Sequence, residues 1–143
     1  MKRFLLLGGF VAICFLGCVT SYQPSSPGLI IPGPGYTEQS LGDLWFEVQV
    51  HGTGWTSKER MRKIALVRAA ELSISLGYAH FSIFLEESTK EWSVGLSSYG
   101  SGLYPSPQSR PLQRLIFQLS NNPEDADAEE ILRTLGPEVG YNQ

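Results

Sequence analysis

Three groups of residues in this chain carry side chains of the kind that chemistry needs. The first is the run Gly52-Thr53-Gly54-Trp55-Thr56-Ser57-Lys58. Placed between a strand and a helix, it could gather backbone N–H groups, hydroxyls and the Lys58 ammonium at a positive helix end, forming an anion nest. It lacks the full Gly-x-Gly-x-x-Gly and Walker spacings, and a capped tight turn uses the same residues equally well. The second is Arg68 with Glu71, three positions on, beside an apolar helix face where an ionised group is costly unless paired. It reads either as a structural ion pair that locks the helix onto a sheet, with Glu47 as a candidate third member, or as a functional charge. The third is His51 and His80, the only histidines. Both fall at polar-facing strand positions, without the cysteines or clustered acids of a metal site. There is no Gly-x-Ser-x-Gly or comparable hydrolase signature, so no catalytic residue, metal or cofactor is assigned.

Cysteine usage points elsewhere. Lys2 and Arg3 make a positive start, Phe4 to Leu16 is an uncharged and largely apolar run, and Phe15-Leu16-Gly17-Cys18 follows. At ~1.5 Å per residue that run is too short to cross a ~30 Å hydrocarbon core as a stable helix. It has the layout of a signal peptide. The four residues ending in Cys18 resemble the lipobox of bacterial lipoprotein processing, with Phe15 where Leu is commoner. Residues 1–17 are therefore expected to be removed and Cys18 to be lipidated. Cys14 would be lost with the signal and the Cys18 thiol consumed as a thioether, leaving no thiol for a disulfide, a metal or catalysis. By resemblance to lipoprotein sorting in bacteria with two membranes, Val19 in place of Asp favours the outer membrane with the domain facing the periplasm.

Beyond Cys18 the chain has 9 basic and 14 acidic side chains, a formal charge of −5. That balance argues against nucleic acid or anionic headgroups as the main electrostatic partner, since both need clustered Lys and Arg. The size is that of one domain, and no other apolar run is long enough to span a bilayer.

The elements that would position these residues follow from local pattern. Residues 18–41, rich in Ser, Pro and Gly, read as a flexible tether spanning roughly 25–30 Å, interrupted by the apolar Leu29-Ile30-Ile31. Leu44, Phe46, Val48 and Val50 alternate with Trp45, Glu47 and Gln49 as a first strand. Thr56 with Glu59 predicts a capped helix running to Leu76, closed by Gly77. Met61, Ile64, Ala65, Leu72 and Leu76 share one face, and Val67, Ala70 and Ile74 form a weaker strip. A second strand follows around Ala79–Leu85, a third around Trp92–Leu96 beyond a polar turn at Glu86–Lys90, and a fourth at Leu115–Leu119. Ser97–Pro111 reads as a loop. A short helix opens at Asp127 and Glu130 and stops at Gly136-Pro137. The order β-α-β-β-β-α predicts an α+β, two-layer domain over 42–137, with four strands covered by the long helix and a tail at 138–143.

Four stretches also carry a family likeness: Phe46-Glu47-Val48, Gly52 to Glu59, Arg68-Ala69-Ala70-Glu71-Leu72 and Gly77-Tyr78-Ala79-His80-Phe81. Together they resemble an uncharacterised family of small proteobacterial lipoproteins. Trp55 stands where that pattern has Tyr or Phe, and Ala79 where it has Asp. The resemblance implies an exported, lipidated α+β domain and no particular activity.

Trp92, Tyr99 and Tyr104 flank the Ser/Gly/Pro-rich loop, a composition common in binding surfaces because aromatic anchors lose little side-chain entropy. The expectation is a non-enzymatic envelope component that binds another protein or the cell wall while held at a membrane through Cys18. The alternative is a small anionic-ligand module or enzyme using the Gly52–Lys58 turn.

Overall fold

The computed structural model describes residues 20–27 and 32–142; Cys18, the signal and Leu29–Ile31 lie outside the described residues. Among these residues the elements are β1 (Gly35–Gly42), β2 (Trp45–His51), α1 (Lys58–Ser75), β3 (His80–Tyr99), β4 (Gly102–Ser120), β5 (Ala126–Asp127) and α2 (Ala128–Val139). The fold is α+β. The sheet has five strands in the order β1-β2-β4-β3-β5, with every neighbouring pair antiparallel. Since β4 runs opposite to both β2 and β3, those two strands are parallel to each other. The β2-α1-β3 crossover therefore skips one position, which β4 fills, as in a split β-α-β unit.

Alternation sets the core. Val48 and Val50 of β2, Phe81 of β3, and Leu115 and Phe117 of β4 face α1 and are buried together with Met61, Ile64, Ala65 and Val67. A second buried stripe, Ala128, Leu132, Gly136 and Val139, lies along α2 at near-helical spacing, and α2 packs against α1. Covered by the sheet on one side and α2 on another, α1 buries more of its circumference than one apolar face. Leu66 and Ser73 are buried accordingly, while Leu72 is half-buried and Leu76 and Ile74 are exposed.

Several boundaries differ from the sequence expectation, each for a local reason. The tether expected over 18–41 is largely part of the domain. Thr20 is 2% exposed, and Tyr22 packs on Tyr36 and Tyr141 at 5.1 and 5.3 Å between ring centroids. Gly35–Gly42 adds an edge strand to β2, turned by Gly42 and Asp43, both at positive φ; the turn residues had blended into the Gly/Pro-rich composition.

The expected second and third strands are one 20-residue strand. Its polar middle, Glu86–Lys90, is paired with β4 throughout, and a bulge between Ile83 and Leu85 resets which side chains face α1. The loop expected at Ser97–Pro111 is the end of β3, the hairpin turn and the first half of β4. There are thus five strands rather than four. The last helix does not stop at Gly136-Pro137. Pro137 lies in its final turn, where it forfeits the one N–H bond to the Arg133 carbonyl without ending the helix, and Gly140 in the left-handed conformation ends it. Val139 is buried and Tyr141 packs on the core, so the expected tail at 138–143 belongs to the domain through Tyr141.

Candidate functional site

The Gly52–Lys58 turn connects β2 to α1 as expected, but its polar groups serve the fold. Ser57, not Thr56, is the N-cap, its hydroxyl accepting from the Arg60 N–H at 3.1 Å. Glu59 pairs with Lys63 instead of closing a capping box. The Thr56 hydroxyl is buried, bonded to Thr20 Oγ1 at 2.6 Å and accepting from the Thr53 N–H at 3.0 Å. Gly52 donates its N–H to the Pro111 carbonyl at 2.9 Å. A Cβ on Gly52 would stand 2.7 Å from Met61 Sδ and 2.8 Å from Pro111 Cγ. The glycine is needed there for close packing. Two surface depressions, one beside α2 and a smaller one between β1 and β2, are lined by residues outside this turn.

Arg68 and Glu71 are brought together at 2.5 Å. Arg68 also meets Glu38 of β1 at 2.5 Å and lies over the Tyr36 ring, 4.9 Å from its centroid. The Tyr22 hydroxyl donates to Glu71. The network thus ties the N-terminal segment and β1 to α1. Burial works to lower the Arg68 guanidinium, yet bonds to Glu38 and Glu71 outweigh it and raise the group above its ordinary value. Tyr22 is also raised, by burial first and then by the Glu71 carboxylate. Glu47 is not a third member. It lies on the sheet face away from α1, bonded to Arg114 and Gln49. Burial tends to raise its carboxyl, but those two hydrogen bonds prevail and hold it below the usual carboxylate range.

The sequence did not disclose a second polar cluster, on that same outer face. Thr37 Oγ1 stands 3.3 Å from His51 Nε2, and His51 Nδ1 3.0 Å from Glu91 Oε1, which also accepts from Arg110 at 2.7 Å. Arg110 donates further to the Pro32 carbonyl. Hydroxyl, imidazole and carboxylate stand in the order of a nucleophilic relay. However, the His51 side chain is 3% exposed, and the recess of about 170 Å³ beside Thr37 is lined by Glu38 and Glu47. Acids there oppose the negative charge that attack on a carbonyl develops. The cluster joins β1, β2, β3 and β4 where β3 and β4 leave the sheet. His80, at the other end of β3, is far along the strand from it, and among the described residues no group of His, Cys, Asp and Glu is placed to hold a metal.

Past this cluster β3 and β4 continue alone as a two-stranded arm. Eight register pairs, from Trp92↔Ser109 to Tyr99↔Gly102, extend it, roughly 25 Å at ~3.3 Å per residue. Residues 92–109 contain no charged side chain. One face carries Trp92, Val94, Leu103, Pro105 and Pro107, and the other Ser93, Gly95, Ser97, Ser106 and Gln108 together with Tyr99 and Tyr104 near the tip. Trp92 is 71% and Tyr99 85% exposed, and Val94, Leu103 and Tyr104 are exposed as well. The aromatic and apolar composition was legible in the sequence; its arrangement in a paired arm was hidden by the Gly, Pro and Ser content.

Comparison of the chain with protein families, with curated proteins and with solved structures finds no match.

Proposed function

We propose that this protein is a bacterial lipoprotein anchored through Cys18, with its domain in the periplasm and the outer membrane as its seat. It acts by binding, as a non-enzymatic component of the envelope, and the arm is its binding surface. The observation that carries this reading is the arm itself: 18 uncharged residues, 92–109, held out from the core with large apolar and aromatic side chains exposed. Such a surface gives no stability to the fold it leaves, and contiguous exposed apolar area marks an interaction site. The basic, apolar, Leu16-Gly17-Cys18 order supports the anchor. Among the described residues no helix is long and apolar enough to cross a membrane. The anionic-ligand reading of Gly52–Lys58 is less well supported, because the Thr56 and Ser57 hydroxyls and the Gly52 and Thr53 N–H groups are spent inside the protein.

Labelling cells with radioactive palmitate and fractionating their membranes tests the reading. Wild type should carry label in the outer-membrane fraction and Cys18→Ala none. Equal labelling of the two would sink it.

A further inference from the structure

The arm and the proposed anchor leave the domain at the same pole. Only Val19 separates Cys18 from Thr20. Thr20 is buried against Thr56 at the start of α1, and its carbonyl accepts from Arg60 Nε at 2.8 Å. Thr56 borders Gly52, whose N–H holds Pro111 at the base of the arm. Two residues reach at most about 7 Å, so an acylated Cys18 holds this pole against the membrane. The expected separation of the domain from the headgroups by a long tether is absent.

We propose that the arm docks on the lipid leaflet that carries the Cys18 acyl chains, a partner assignment that rests on the lipid-anchor reading above. The Trp92, Val94 and Leu103 face enters the acyl boundary, while Tyr99 and Tyr104 on the opposite face and the 83%-exposed Trp55 of the neighbouring turn lie at headgroup level. Trp and Tyr favour that zone because their rings are apolar and their N–H or O–H groups stay wet. With no charge over 92–109, nothing in the arm resists partial desolvation by ionisation. A lone hairpin has unpaired backbone edges, so it lies in the interface and does not span the hydrocarbon.

The prolines speak against strand addition by a peptide or a second copy at the β4 edge of the arm. The Pro111 carbonyl points toward β2, away from β3. Pro105 and Pro107 share its parity along β4, so their missing N–H groups fall on the β4 edge of the arm and block pairing along that edge. Only the β3 edge is left open to pairing, and the broader surface offered for docking is a face, which is apolar. The attraction is apolar and therefore does not need the clustered basic residues that the chain, at −5 beyond Cys18, lacks.

The test uses the full lipidated chain reconstituted in phosphatidylethanolamine vesicles with a minor fraction of phosphatidylglycerol, part of the lipid brominated high on the acyl chains. The Trp92 signal is taken as the difference between wild type and Trp92→Phe. It should fall by about half or more with brominated lipid, equally at low and high salt, as interfacial burial of an aromatic ring requires. Val94→Asp and Leu103→Asp should abolish that quenching, whereas Ser93→Asp and Ser106→Asp on the opposite face should retain it, all four with unchanged thermal unfolding. Protein that carries palmitate and floats with the vesicles but shows no Trp92 quenching overturns the arm's docking and leaves the anchor standing. Protein that neither labels nor floats overturns both. Shielding of Trp92 from aqueous quencher without quenching by lipid, together with crosslinks between copies, would assign the face to a second copy and overturn the proposal.

Discussion

Arg68 shows how far a single residue can be read before its surroundings are known. Its place on an apolar helix face demanded an acid, and Glu71 supplies it. Glu38 and the Tyr36 ring come from β1, which the sequence hid in a presumed tether. Arg68→Ala should cost about 2–4 kcal/mol in urea unfolding, because it strands two carboxylates beside half-buried surface. A double-mutant cycle with Glu71→Ala should depart from additivity by more than about 0.5 kcal/mol; additive losses would mean that the pair does not interact. Glu47 shows the opposite case, since its position was legible and its partner was not. Arg114 lies far along the chain and becomes its neighbour only through the β2–β4 register. With its folded-state carboxyl depressed, Glu47 stabilises the protein above its unfolded value of about 4.3 and loses that contribution as pH falls through the lower folded value. Glu47→Gln should therefore flatten the acid limb of the stability profile below about pH 4. A limb as steep as wild type in pH-dependent urea unfolding would contradict this assignment. Gly52 completes the scale. Gly52→Ala should destabilise by about 1–3 kcal/mol through overpacking against Met61 and Pro111, whereas a glycine kept only for an anion nest would tolerate the methyl group in the ligand-free protein.

Elements were legible where period and caps agreed. The helix expected from Thr56 to Leu76 is α1, although Ser57 caps it, and the strand expected over Leu44–Val50 and the Asp127 cap of α2 also followed from spacing. Where composition spoke louder than period, the sequence misled. Gly, Pro and Ser suggested a tether before Gly42 and a loop after Ser97, yet both stretches form strands because partners of matching length lie opposite. The polar run Glu86–Lys90 looked like a turn; it is strand in a part of β3 open to water, where polarity carries no turn signal. The His51–Glu91–Arg110 cluster was invisible for the same reason, since its members meet only through the extended β3–β4 register. The arm itself should be dispensable for folding. Replacing residues 92–109 by a two-residue Asn-Gly turn, suited to a tight hairpin, should leave unfolding cooperative and shift its midpoint by no more than about 4 °C. Calorimetry would check it, and loss of the cooperative transition would show that the arm carries part of the core.

At the scale of the whole molecule, one pole gathers Thr20, the β2–α1 turn with exposed Trp55, and the root of the arm. Charge elsewhere is spread and largely paired, and the core is closed by the sheet, α1 and α2. Under the proposed reading, binding belongs to that pole and the remainder is scaffold. The proposed Cys18 anchor is what would turn that pole toward a membrane. The most direct measurement is mass spectrometry of the N-terminal peptide from protein isolated with its native membranes. The peptide should begin at Cys18 and carry a diacylglyceryl thioether together with an amide-linked acyl chain. A peptide beginning at any other residue, or Cys18 with a free thiol, would contradict the account.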